Sequence, residues 1–173
     1  MLYLVTTVYF CYNNKKKMSE IEHGLWIGNR DNSNSLLWLD ERGIKTVINC
    51  GGSYARPGWV GSTVKQHYYE IEADDSLTYP LLKKHYLEFH DMMEDAERRG
   101  GGILVHCFAG INRSATLLLA YMLHKIARRG MHPPISDFIT HYRSKRPIIL
   151  QNPSFHRQLE SWQSATEKVY KKK

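Results

Sequence analysis

Nine consecutive residues, His106-Cys107-Phe108-Ala109-Gly110-Ile111-Asn112-Arg113-Ser114, put a thiol, a guanidinium, a hydroxyl and a glycine within one loop length. A cysteine and an arginine at this separation are common by chance and mean little alone. Their surroundings make the difference: Ile103-Leu104-Val105 reads as a short buried strand and the residues from Ser114 read as a helix, so the segment is the turn between them. Amide N–H groups in such a turn converge on one point, and the helix N-terminus adds unpaired donors and partial positive charge. That is a cradle for an anion such as phosphate. A phosphate dianion seated there would accept hydrogen bonds from the amides of Phe108, Ala109, Gly110, Ile111, Asn112 and Arg113, and the planar fork of Arg113 matches two of its oxygens. Cys107 stands at the base, where the same donors favour thiolate over thiol. An ionised sulfur nucleophile at neutral pH is therefore expected.

Displacing an alkoxide or phenoxide from phosphorus is slow unless the leaving oxygen is protonated. Ala73-Asp74-Asp75-Ser76 supplies two candidate acids in the loop after a strand expected over His67 to Ile71, whose end faces the cradle. A plainer reading has both carboxylates as charges preceding the helix that begins near Pro80. It explains one of them more comfortably than the pair.

The elements that would position these groups follow from periodicity. Ile21 to Ile27 reads as a strand closed by Gly28-Asn29, Asn34 to Arg42 as a helix stopped by Gly43, and Ile44 to Cys50 as a buried strand. The stretch from Tyr54 to Thr63 has no periodicity and reads as loop. Leu82, Tyr86, Phe89, Met93 and Ala96 form one apolar face of a helix from Pro80 to the Gly100-Gly101-Gly102 stop. The helix from Ser114 to Arg129 is apolar nearly all round and belongs at the centre of the fold. Two more helices are expected, Ser136 to Ser144 and one capped by Asn152 and Pro153. Strands separated by helices predict an α/β fold: a mostly parallel central sheet of about five strands with helices on both faces and ligands beyond the strands' carboxyl ends.

The 173 residues suit one domain, placed at 18–169, with residues 1–17 as an extension or an added edge strand through Leu2 to Phe10, and 170–173 as a basic tail. The net charge of +7 is concentrated in Lys15 to Lys17 and Lys171 to Lys173. The remaining 18 cations face 17 anions, so no nucleic-acid-binding surface is expected. Met1 to Tyr12 lacks a basic start and is too short to span a bilayer. Cys11, Cys50 and Cys107 form neither a disulfide framework nor a zinc pattern, which points to a reducing compartment, the cytoplasm with the nucleus as second choice. No metal or other cofactor is expected, because Arg113 and the loop amides already supply positive field. Cys50 reads as a packing residue whose distance from Cys107 the sequence leaves open, as it does the oligomeric state.

The segment HCFAGINRS resembles the His-Cys-x-x-Gly-x-x-Arg-Ser signature of cysteine-dependent protein phosphatases, in particular the dual-specificity branch. The resemblance extends over about 150 residues, through Ile21–Asn29, Val47–Cys50 and the closing Arg146-Pro147, Asn152, Phe155 and Leu159. It implies a small atypical member without a kinase-docking domain, acting on phosphoprotein substrates carrying phosphotyrosine and phosphoserine or phosphothreonine through a phosphocysteine. It also implies Cys107 as nucleophile, Arg113 as phosphate ligand and Ser114 as the hydroxyl that bonds the sulfur. Asp75 aligns best as general acid, with Asp74 second, and His106 and Asn152 support the loop. Longer tyrosine-specific phosphatases carry a pocket-deepening loop that has no counterpart here, and inositide phosphatases carry basic residues where this chain has Phe108, Ala109, Ile111 and Asn112. The rival readings are an RNA 5′-triphosphatase or diphosphatase, whose Thr-His and Thr-Gly pairs are replaced here by Phe108-Ala109 and Ser114-Ala115, and a non-catalytic phosphoprotein-binding module.

Overall fold

The computed structural model describes residues 18–170, so the edge strand expected at Leu2 to Phe10, Cys11 and both lysine runs lie outside the described residues. Strands β1 (Ser19–Glu22), β2 (Leu25–Gly28), β3 (Ile44–Asn49), β4 (His67–Glu70) and β5 (Gly102–His106) form one sheet in the order β1-β2-β5-β3-β4. Four of the strands are parallel to one another, and only the β1–β2 pair is antiparallel. Along β5 the alternation of side chains serves both faces: Ile103 and Val105 enter the main core, and Leu104 enters a second core with Val47, Leu39 and Trp59.

Among the described residues six helices cover the sheet: α1 (Arg30–Asn34), α2 (Leu36–Glu41), α3 (Leu81–Arg99), α4 (Arg113–Arg128), α5 (Ile135–Lys145) and α6 (Pro153–Tyr170). As its composition requires, α4 is central. It packs between α3 and α6 and buries Ala115, Leu117, Leu118, Leu119, Ala120, Tyr121 and Leu123. Truncating a leucine such as Leu118, fully buried here, costs about 2–5 kcal/mol. The helix therefore anchors whatever its N-terminus carries.

Two expected boundaries require correction. The segment Ile21–Ile27 is not one strand but a hairpin, turning at His23-Gly24 with Gly24 at φ 71°, and Ser19 pairs with Ile27. The helix expected from Asn34 to Arg42 is α2, which starts only at Leu36, and a separate short helix, α1, lies before it. Asn29 and Asn32 cap each other reciprocally at 2.9 Å and start α1, and Ser35, extended at φ −89° and ψ 90°, breaks the run and caps α2. Asparagine and serine compete for backbone hydrogen bonds, which is why polar residues here produce caps instead of one continuous helix. The irregular stretch after β3 also begins with a 3-10 turn, Gly52–Ala55.

Candidate active site

The loop from Cys107 to Asn112 leaves the carboxyl end of β5 and enters the N-terminus of α4, with its carbonyls turned outward and tied to neighbouring elements. Phe108 O accepts from Arg30 N at 3.2 Å and Ile111 O from Leu150 N at 2.9 Å. Gly110 O accepts from Arg146 Nε at 2.9 Å. With the carbonyls held this way, amides face inward: Gly110 N donates to Cys107 Sγ at 3.3 Å, and the Ile111 and Ser114 amides also favour the thiolate. The cradle's donors are thus preorganised by bonds made on its outer surface.

Gly110 permits this approach. Its φ is 66°, and a Cβ there would lie 2.2 Å from Gly28 O and 2.8 Å from Arg146 Nη2. Asn112 does not cap α4 with its side chain. Instead its Oδ1 accepts from Gln151 N and Asn152 N at 2.9 and 3.0 Å, while Nδ2 donates to Asp75 Oδ2 at 3.3 Å.

Cys107 is buried, and the Ser114 hydroxyl donates to its sulfur at 3.3 Å. Burial pushes the thiol up. Against it, the Arg113 guanidinium, the Ser114 hydroxyl and the Ser114 and Ile111 amides pull it down, and the balance leaves the Cys107 pKa below the ordinary thiol value. Arg113 donates from Nη1 to Ala73 O at 3.0 Å, and its Nε is buried with no hydrogen-bond partner, a donor directed into the same site. The Asp75 carboxylate stands 3.7 Å from that Nε. Asn152 Nδ2 donates to Asp75 O at 3.1 Å and Oδ1 at 3.3 Å, fixing the aspartate to the start of α6.

Asp74 differs: it is exposed and accepts from Asp75 N at 2.7 Å, a local turn bond. Its pKa is held low by hydrogen bonds from the Ser76 side chain and the Asp75 and Ser76 amides. Geometry therefore gathers Cys107, Arg113, Ser114, Asp75, Asn112 and Asn152, and leaves Asp74 at the rim. His106 is fully buried, with Nδ1 3.3 Å from Cys107 O, and burial lowers its pKa to about 4, so it is neutral under the loop. Phe108 projects outward, 54% exposed, and contributes only backbone.

Two residues noted in the sequence take positions at the site that the sequence did not assign to them. Arg146, 1% exposed, supports the loop from beneath, and burial lowers its pKa to about 10 against an opposing effect of Cys107. A cation followed by Pro147-Ile148-Ile149-Leu150 was the available signal, since a charge inside an apolar run needs a buried polar partner. The second is Cys50, just past the end of β3, whose amide donates to His106 O at 2.7 Å, placing it beside Cys107. Its thiol is pushed well up, first by burial and then by Cys107. Both are free thiols. Among the described residues no cluster of metal-ligating side chains occurs, and no helix is long and apolar enough to cross a membrane.

Residues 25–165 match the family model described as the catalytic domain of dual specificity phosphatases. The chain is 31% identical over 159 residues to dual specificity protein phosphatase 1 of Arabidopsis thaliana, covering 90% of this chain and 74% of that protein. Dual specificity protein phosphatase 1B of the same plant is 32% identical over 152 residues, with 88% and 85% covered. The crystal structure of DUSP15 superposes with a TM-score of 0.73 at 27% identity, covering 91% of this chain and 94% of that one.

Proposed function

The chain belongs to the dual specificity phosphatase family and is a protein phosphatase, and from that premise we propose that it hydrolyses phosphotyrosine and phosphoserine or phosphothreonine through a phosphocysteine on Cys107. One observation carries the reading: a buried sulfur that receives the Ser114 hydroxyl and the Gly110 amide, both at 3.3 Å, beneath an arginine whose Nε lies 3.7 Å from Asp75. Nucleophile, phosphate ligand and acid meet at one point.

In the first step the Cys107 thiolate attacks phosphorus in line. The S–P bond forms as the P–O bond to the substrate breaks, and Asp75 in its acid form gives its proton to the departing oxygen. In the second step Asp75, now a carboxylate, takes a proton from water as the water attacks phosphorus. The S–P bond breaks, releasing inorganic phosphate and restoring the thiolate. Arg113 and the loop amides bear the equatorial oxygens through both steps. Ser114 stabilises the leaving sulfur, Asn112 and Asn152 aim Asp75, and His106 supports the loop without transferring protons. The few cysteines fit work in the reducing cytoplasm.

Steady-state hydrolysis of sequence-matched phosphotyrosine and phosphothreonine peptides, with EDTA present and Cys107→Ser as control, tests this. Activity on both, absent from the variant, is expected. Equal activity in the Cys107→Ser protein would end the proposal, and turnover of a triphosphate-ended RNA with neither peptide hydrolysed would redirect it.

A further inference from the structure

A groove of about 490 Å³ opens between α3 and α6, lined in part by Thr78, Lys83, Ser154, Arg157, Gln158 and Trp162. It lies two hydrogen bonds from Asp75. Asn152 donates to the Asp75 carboxylate at 3.3 Å and accepts from Ser154 N at 2.9 Å, and Ser154 forms part of the groove wall. The walls are fixed: Gln158 accepts from Leu82 N at 3.2 Å and donates to Tyr79 O at 2.9 Å, joining the start of α3 to α6. Its Trp162 is also held, with its ring 4.0 Å from Tyr86 and Nε1 donating to Ala120 O at 3.3 Å.

The electrostatics of this groove are one-sided. Lys83 and Arg157 are exposed, and neither makes an ion pair with another described residue. No acidic side chain lines the groove. Both helices start here without an acidic residue in the first turn, and α3 places Lys83 and Lys84 there instead. Cations at helix N-termini oppose the helix dipole, so the arrangement costs stability unless an anion faces it.

Resting on the phosphatase reading above, we propose that this groove holds an acidic segment of the substrate polypeptide, with its carboxylates facing Lys83 and Arg157 while the phosphorylated residue occupies the cradle. The occupant is a protein chain because the groove is linked to Asp75 through Asn152 and Ser154 and is floored by apolar side chains such as Leu82 and Trp162, a surface that an extended peptide covers. The acidic contacts are solvent-exposed and modest, so they act as a preference among phosphoproteins and favour encounter with the acidic ones.

The test compares six phosphotyrosine peptides of equal length, with glutamates, glutamines or lysines on either the amino or the carboxyl side, together with an aryl phosphate. The wild-type chain is expected to show kcat/KM about 3- to 10-fold higher for one glutamate-flanked peptide than for its glutamine counterpart, a preference that falls with added salt. Lys83→Glu combined with Arg157→Glu should invert the order in favour of lysine flanks and leave aryl phosphate hydrolysis unchanged. Equal kcat/KM for all flanks in the wild-type chain, or a glutamate preference that survives the charge reversal, overturns the groove assignment alone. Failure of the wild-type chain to hydrolyse any peptide or the aryl phosphate overturns the phosphatase reading, and the groove assignment with it.

Discussion

Replacing Ser114 with alanine isolates one of the forces that lower the Cys107 pKa. The Ser114 hydroxyl donates to the sulfur at 3.3 Å, and the residue is fully buried, so its loss admits no water to replace it. Serine and alanine differ by one oxygen, so packing in the first turn of α4 is retained. A hydrogen bond to a charged group is worth about 1.5–3 kcal/mol, and the lower end applies to a long bond to diffuse sulfur. At about 1.4 kcal/mol per unit, the Cys107 pKa should rise by about 1 unit. The sign follows from which form loses: the donor bonds the thiolate, so removing it destabilises the charged state. The Arg113 guanidinium and the Ser114 and Ile111 amides remain, so the thiol should not return to its ordinary value. The assay is the pH dependence of iodoacetamide alkylation, read by mass spectrometry on the peptide containing Cys107. The inflection should move up by about one unit, with a plateau rate at high pH within a few-fold of wild type. An unmoved or lowered inflection would refute the electrostatic account.

Further outcomes follow from the same geometry. Asp75→Asn should reduce kcat by about 100-fold or more for substrates with poor leaving groups and far less for activated aryl phosphates, whereas Asp74→Asn should alter both little; the reverse pattern in a leaving-group series would assign the acid to Asp74. Gly110→Ala should cost about 2–4 kcal/mol, from the positive φ and from a Cβ 2.2 Å from Gly28 O, and should raise KM for phosphopeptides; urea denaturation at wild-type midpoint would show the loop has room to move. His106 is neutral in the fold to about pH 4, whereas its unfolded form takes a proton near 6.5. The unfolded chain therefore binds that proton first, and up to about 3 kcal/mol of stability should be lost as pH falls from 6.5 towards 4. His106→Gln should flatten this part of the urea-midpoint profile, and an equally steep fall in the variant would reject the assignment.

The catalytic loop was legible because its chemistry is local: a strand, a turn with Gly110 and a helix start converge amides whatever the rest of the chain does. The central position of α4 was equally readable, since an all-round apolar helix has one place to go. What escaped is what depends on contacts between distant segments. Arg146 lies 36 residues beyond Gly110, whose carbonyl it holds. Asn112 reaches Gln151 and Asn152 across the site, a bridging role that cradle geometry alone does not reveal. The residues alone left Asp74 and Asp75 open and the family resemblance ranked Asp75 first; the contacts that hold Asp75 in the site come from Asn112, 37 residues on, and Asn152, 77 residues on. The β1–β2 hairpin was missed for a simpler reason: Ile21 and Ile27 keep one apolar phase across Gly24, so hydrophobicity alone does not record the reversal.

The central claim is covalent and can be observed directly. Ser114→Ala protein, in which the proposed mechanism expects loss of the sulfur from phosphorus to be slowed, is mixed with a ³²P-labelled phosphotyrosine peptide, quenched within milliseconds and digested. The account predicts near-stoichiometric label on the peptide containing Cys107, appearing before free phosphate reaches its steady rate and absent from the Cys107→Ser protein. Label on any other residue, or steady release of phosphate with no labelled enzyme at any time, would contradict it.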